Sequence, residues 1–297
     1  MKRHLLKLMW NRKRQNALVA AEIFVSFLVL FVVAAFGVYF TANYRKPLGF
    51  ETAGIWHLEV GMHQAGGTEE ENAQRYATVL TELERMPEVR RAAAIDFPPY
   101  FAGYSEWTMN LQERRDVTVQ SNRATEGLDE VLGLRLLAGR WFSAQDDGMN
   151  WKPVVLDRAM AEAAFGRVDV VGERAYFLQD QEEHRVVGVI EDFRRGGELS
   201  GEVPYIFFRA TRDGVGNRPP QMLLAMRPGV DASFEETLIQ RVSAVAPEWS
   251  FSLQPLERER ASSLRVQLMP LVIGAIVALF LVLMVALGLT GIMWQTV

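Results

Sequence analysis

The side chains best suited to metal or proton chemistry in this sequence are four histidines, His4, His57, His63 and His184. None stands in an H-E-x-x-H arrangement, and Gly61 and a strand end separate His57 from His63. A lone histidine on a polar strand face is expected to be solvated rather than a ligand. Cysteine is absent, which removes a disulfide framework, a thiolate metal site and a cysteine nucleophile. The acidic runs Glu69-Glu70-Glu71 and Asp146-Asp147 fit a helix start and a loop without any metal. No G-x-x-x-x-G-K-[ST] and no G-x-S-x-G occurs. Gly188, and the pair Gly196-Gly197 after two arginines, lack the strand–turn–helix context of a dinucleotide loop. The expectation is therefore no catalytic, cofactor-binding or metal-binding residue. The chain is expected not to be an enzyme.

Two long apolar runs, near the two ends, dominate the sequence instead. Between Arg265 and Val297 there is no Asp, Glu, Lys or Arg, and Leu268–Trp294 exceeds the ~20 residues a helix needs to cross a membrane. The other run is Ala17–Phe40. Ahead of it lie Lys2, Arg3, Lys7, Arg12, Lys13 and Arg14 with no acid, which places the N-terminus in the cytoplasm and the chain from Tyr44 onward outside. A signal peptide has a shorter apolar region, about 7–15 residues, and Phe40-Thr41-Ala42-Asn43 offers no small-x-small cleavage site. An uncleaved anchor is expected, whose cations attract anionic lipid rather than nucleic acid. Glu22 has two readings: a carboxylate snorkelling toward Arg14 and Lys13, or a polar contact to a neighbouring span. Trp10, Tyr39 and Tyr44 read as an aromatic belt. In numbers, 1–16 is a basic cytoplasmic arm, 17–40 the first span, 41–265 an extracytoplasmic domain, 266–294 the second span and 295–297 a cytoplasmic end.

Those roughly 225 residues between the spans suffice for two lobes. Ile55–Val60 alternates like a half-buried strand, with His57 and Glu59 on its polar face. Thr68-x-x-Glu71 is a capping box opening a helix that Pro87 stops, and Val89–Ile95 is a second strand. A similar unit recurs late: strand Met222–Met226, a capping box at Ser233-x-x-Glu236, a helix ended by Pro247, and strand Trp249–Leu253. Between them lie Glu106–Leu111, Val117–Asn122, a turn of helix at Asp129–Leu132, Pro153–Leu156, and a helix from Asp157 to Gly166. The strand pair Tyr176–Leu178 and Arg185–Ile190 follows, then Tyr205–Phe208. Asn217-Arg218-Pro219-Pro220 punctuates the return. The predicted fold class is membrane-anchored α+β. One discontinuous α/β lobe, about 45–122 and 220–260, shares a sheet from both ends of the domain, with helices on one face. A β-rich lobe, about 123–219, is inserted in it. Leu256–Arg265 continues helically into the second span, and Gly274 with Ala278, and Gly288 with Gly291, permit close helix approach.

The order of these features resembles the FtsX-like or MacB-like (macrolide-exporter-type) permeases of ABC transporters. The resemblance rests on Arg45-Lys46-Pro47-Leu48-Gly49-Phe50, on Glu130-Val131-Leu132-Gly133-Leu134 followed by Leu137-Ala138-Gly139-Arg140-Trp141-Phe142, and on Pro153-Val154-Val155-Leu156-Asp157. Phe165-Gly166, Val170-Val171-Gly172, Val186–Asp192 and Leu287-Gly288-Leu289-Thr290-Gly291 complete it, so that it covers nearly the whole chain. It implies an efflux or mechanotransmission permease in a cell's inner membrane, with ATP bound on a separate cytoplasmic ABC ATPase subunit. Pairing as a homodimer, or as a heterodimer with another permease, and an extracytoplasmic partner are implied as well. Such permeases have four spans; this sequence ends at Val297 after two, as a truncated chain, a fragment or a split half would. Two other classes share a two-span plan. A membrane sensor needs a cytoplasmic output module, and a polysaccharide chain-length regulator has long helical outer regions that the strand-rich middle opposes.

Overall fold

The computed structural model describes residues 13–62, 66–109, 116–146, 148–179, 182–210, 221–231 and 233–294. His4, Trp10, Lys2, Arg3, Lys7, Arg12, His63, Leu111, Asp147, the Asn217–Pro220 punctuation and Gln295–Val297 lie outside the described residues. The chain divides into two units, Met1–Lys46 with Leu264–Val297, and Pro47–Ser263.

In the second unit, apolar strand-forming segments separated by turns build one sheet. Its strands are β1 (Ile55–Gly61), β2 (Val89–Ile95), β3 (Ser105–Met109), β4 (Val117–Ala124), β5 (Leu136–Gly139) and β6 (Lys152–Asp157). They continue with β7 (Arg174–Ala175), β8 (His184–Ile190), β9 (Tyr205–Arg209), β10 (Gln221–Met226) and β11 (Ser250–Pro255). The order is β11-β1-β10-β2-β4-β9-β6-β8-β5, with β3 on β4 and β7 on β8. The early and late strand–helix–strand units do share this sheet: β1 is antiparallel to both β10 and β11, and β10 to β2. The middle is mixed, with β4 parallel to β9 and β6 parallel to β8. β2 meets β4 at one register pair, Ile95 opposite Ala124.

Helices cover both faces of the β11–β2 part, not one. On one face α2 (Glu69–Glu84) and α5 (Phe234–Val245) put Tyr76, Leu80, Leu83, Leu238 and Val242 against Leu58, Ala94 and Leu224. On the other, the short α3 (Leu128–Leu132) packs Leu128 and Leu132 against Ala93, Ile95 and Leu223. Strands apolar on both faces bury all of β10. A third core joins α4 (Arg158–Phe165), through Met160 and Ala161, to Val119, Leu156 and Ile206. Met109 and Val119 belong to this third core, while Ala124 joins Ile95 and residues as far as Phe207 in the core under α3. Hairpin β3–β4 sides with the inserted elements because its apolar residues face α4's core.

Capping follows the sequence in two of three places. Thr68 and Glu71 form the reciprocal box, and Asp157 caps α4, which Gly166 ends in the left-handed region at φ 71°. At Ser233 the expected box does not form. Its backbone is helical, and its N–H and hydroxyl both donate to Asp231 Oδ1, which supplies the turn instead. The short partner of β8 is Arg174–Ala175, two residues before the expected Tyr176–Leu178; Phe177 bridges to Met109 across the sheet.

The first unit holds α1 (Lys13–Tyr44) and the long part of α6 (Leu256–Trp294), which runs unbroken through Pro270. Both carry segments long and apolar enough to cross a membrane, Val19–Tyr44 and Leu256–Gly291. A Cβ on Gly274 would lie 3.0 Å from Val33 Cγ2, and Ala278 is buried, so the small residues sit between the two helices. Glu22 Oε2 lies 3.9 Å from where a Cβ on Gly288 would be, an ordinary van der Waals distance.

Candidate functional site

Asp192–Ser200 follows β8 as a loop carrying three buried charges, Arg194, Arg195 and Glu198. Burial of a charge requires partners, and each of these has them at a different segment. Gly197, at φ 90°, lets the loop double back: its N–H donates to Arg194 O (2.9 Å), and the Ser200 hydroxyl donates to Gly197 O (2.7 Å). Nη2 of Arg194 donates to Glu198 O (2.7 Å) and Ser200 O (2.5 Å), so the guanidinium fixes the turn from inside.

The loop then grips the inbound segment, Pro47–Phe50. Arg194 N donates to Leu48 O (3.0 Å) and its Nη1 to Pro47 O (3.5 Å). A Cβ at Gly49 would fall 1.6 Å from Asp192 O, and Gly49 sits at φ 81°, so glycine is required twice over. Phe50 stacks between Phe193 (centroids 5.4 Å) and Tyr100 (5.9 Å).

The outbound segment, the start of α6, is held from the same side. Arg260 Nε donates to Glu198 Oε1, and Leu256 is fully buried. One residue earlier, Glu259 Oε1 lies 2.6 Å from His57 Nδ1. The other ring nitrogen of His57 lies 3.4 Å from Gln221 Oε1, which also accepts from Val60 N (3.3 Å). The linker after β2 closes the assembly. Arg195 Nη1 donates to Phe101 O (2.8 Å), Tyr100 N donates to Arg195 O (2.9 Å), and Phe101 stands edge-on to His57. Tyr100 holds φ 66°, the left-handed region that non-glycine residues avoid, with its ring over Gly197. Burial, and next the Glu198 charge, push the Tyr100 phenol up, so it stays neutral.

Thus one strap, Asp192–Ser200, ties the inbound segment, the outbound helix and the 96–101 linker. It holds these parts in fixed relation. Among the described residues no three His, Asp or Glu side chains converge as a metal site would need. The polar strand face expected to leave His57 solvated is covered, and both His57 and His184 are buried. His57 is covered by Glu259, 202 residues away, and His184 by Trp107, Phe177 and Phe208. Arg194, Glu198 and Glu259 had no assigned role in the sequence. The available signal was a charge pair flanking Gly196-Gly197, beside alternating charges at Glu257–Arg260.

The family model for the MacB-like periplasmic core domain matches residues 17–254. Among solved structures, the chain is similar to the periplasmic region of MacB from Actinobacillus actinomycetemcomitans, at 15% identity and TM-score 0.51, covering 74% of this chain and 96% of that one. It is also similar to the extracellular domain of the noncanonic ABC-type transporter YknZ from Gram-positive bacteria, at 14% identity and TM-score 0.44, covering 67% and 99%. At such identity the first likeness shows a shared fold. No curated protein matches the chain by sequence.

Proposed function

The chain belongs to the family of the MacB-like periplasmic core domain, and from that premise we propose that it is a permease component of an ABC-type transporter that relays movement of its two membrane helices to the sheet domain. It stands in the inner membrane with the sheet domain in the periplasm and the basic N-terminus in the cytoplasm. ATP is bound and hydrolysed by a separate cytoplasmic ATPase, and the chain itself performs no chemistry. A second permease chain, identical or not, completes the transporter.

The observation that carries this reading is the strap. A domain that merely sat on a membrane would need only a flexible tether at each end. Here the inbound residues are pinned through Arg194 and Gly49, and the outbound helix through Glu198–Arg260 and His57–Glu259. Both contacts involve a side chain at least 95% buried, Glu198 and His57. Removing Arg260 leaves the buried Glu198 carboxylate without its charged partner, which is destabilising. The first turns of α6 are thereby rigid parts of the sheet domain, and the same helix continues into the apolar run.

The test is purification of the tagged chain from its native host in detergent, followed by ATP addition to whatever co-purifies. We expect an ABC ATPase in the complex and an ATP-dependent change in distance between spin labels on α2 and on a membrane helix. Arg260→Gln is expected to abolish that distance change while ATP hydrolysis continues. Absence of an ATPase, or an unchanged ATP response in Arg260→Gln, overturns the reading.

A further inference from the structure

His57 stands on the Ile55 face of β1, where Leu256 of α6 is buried, and it is itself buried. Both of its ring nitrogens meet an oxygen: Nδ1 lies 2.6 Å from Glu259 Oε1, and Nε2 lies 3.4 Å from Gln221 Oε1. The Gln221 amide is oriented by a third group. Val60 N–H can only donate, so the amide atom it meets at 3.3 Å is the oxygen. A neutral imidazole has one N–H and one bare nitrogen, whose lone pair would face an acceptor here. The imidazolium has two N–H groups and satisfies both oxygens. Its short contact to Glu259 is then a charge-assisted hydrogen bond, about twice as strong as a neutral one. Among the described residues, the elements that pack here bring further charges. On α6, Arg260 is turned to Glu198 of the strap, and Glu257 and Arg258 are exposed. In the strap, Arg194 closes its own turn and Arg195 reaches the carbonyl of Phe101, which stands edge-on to His57. Asp96 of the linker is engaged by Arg123. Glu59 follows two places along the same face of β1, and β11 sets the uncharged Gln254 opposite His57.

We propose that His57 is a pH-sensitive latch on the outbound helix: doubly protonated, it holds Glu259 and Gln221 at once and seats the first turns of α6 on β1. The sign follows from the partners. Two acceptors favour the charged ring, so the latch is closed at acid pH and opens as pH rises through the range in which histidine changes charge. On opening, the proton on Nε2 passes to solvent while Nδ1–H stays toward Glu259. Gln221 Oε1 then faces a lone pair, and the Glu259 carboxylate loses its cation. The family match assigns no such role to this position. A looser joint between α6 and the sheet at high pH would weaken transmitted movement. That consequence rests on the coupling reading; the latch itself does not.

The test uses the full chain in lipid nanodiscs, without an ATPase, carrying spin labels at Glu70→Cys and Ala261→Cys, both exposed positions. We expect a narrow distance distribution at pH 5.5 that broadens by pH 8.5, and no such change in His57→Gln, whose amide does not titrate. Asp157 is the control within the same window. Burial pushes its carboxyl up to about 7, and it accepts from the Phe193 N–H of the strap. A response arising there would survive in His57→Gln and vanish in Asp157→Asn. Gln221→Glu supplies a second carboxylate to the ring and should raise the midpoint of the change by about 1 pH unit. Near-ultraviolet circular dichroism at pH 5.5 checks that each variant keeps its fold. A pH-independent distribution in wild type, a response that survives His57→Gln, or a midpoint that Gln221→Glu does not raise overturns the proposal. A latch that titrates as expected in a complex showing no ATP-driven motion stands, and only the coupling reading is removed.

Discussion

Asp157 sits where four segments converge. It ends β6 and caps α4, with Oδ1 accepting from Met160 N (2.8 Å) and from Tyr205 N (2.9 Å) at the start of β9, while the Phe193 N–H of the strap loop also donates to the carboxyl. Burial pushes this carboxyl up to about 7, with the Asp192 charge adding to the rise and the N–H donors opposing it. The folded chain then holds the proton more tightly than the unfolded chain, whose value is 3.8. The contribution to stability is therefore fully present near pH 4, declines as pH rises to about 7, and is flat above that. A shift of this size corresponds to at most roughly 4 kcal/mol. Asp157→Asn keeps the oxygen that accepts from Met160 and Tyr205 but cannot ionise. Denaturant unfolding between pH 4 and 8 should show wild type losing stability relative to Asp157→Asn across that window. Parallel curves would remove the claim. Asp157→Ala should be less stable than Asp157→Asn by roughly 2 kcal/mol at every pH, because it orphans the N–H groups. This residue was readable as a cap because capping is local, set by its position before Arg158–Phe165. His57 was not readable: strand alternation put it on a polar face, and only Glu259, far along the chain, buries it.

Among the elements, the helix pair is the plainest case of sequence written as structure. Apolar length marked both spans, and small residues at helical spacing pointed to close approach, which Gly274 against Val33 realises. The sheet's outer strands were legible for a similar reason, since capping boxes and prolines punctuate them. Less was legible where the deciding contact is distant. The cover on the second face of β2 and β10 comes from five residues, Leu128–Leu132, too short for helical periodicity to show. The Ser233 box failed because Asp231, two residues upstream, accepts from the N–H that Glu236 would otherwise take. The strap was hidden for both reasons: its glycines looked like a failed nucleotide loop, and its charges like surface. For the helix pair the expected outcome is graded by size. Gly274→Ala brings a methyl to 3.0 Å from Val33 Cγ2 and should be tolerated by a small side-chain shift. Gly274→Leu should separate the helices by about 1–2 Å, the scale on which side-chain size sets interaxial distance. Spin labels at Ala34 and Ile276 would report this, with the near-ultraviolet signal of the sheet domain unchanged. An interhelix distance identical in Gly274→Leu would show that the glycine has no packing role.

For the whole molecule the decisive quantity is sidedness. α6 has 39 residues and no break, so it is a rod of about 58 Å whose first turns are fixed to the sheet domain by Arg260 and Glu259. A rod transmits tilt from one end to the other only if its ends lie in compartments where something can push and something can respond. In the proposed topology the six cations of residues 1–16 keep the pushing end in the cytoplasm, and the strap lies with the responding domain outside. The absence of native cysteine makes this directly measurable, because any thiol is an introduced one. A membrane-impermeant maleimide applied to intact spheroplasts should label Glu70→Cys, on the exposed side of α2, and should reach Lys7→Cys only after permeabilisation. The opposite pattern would put the sheet domain beside the ATPase instead of across the membrane from it. The strap would then brace a cytoplasmic body, with no movement to carry across the bilayer, and the transport reading would fall with it.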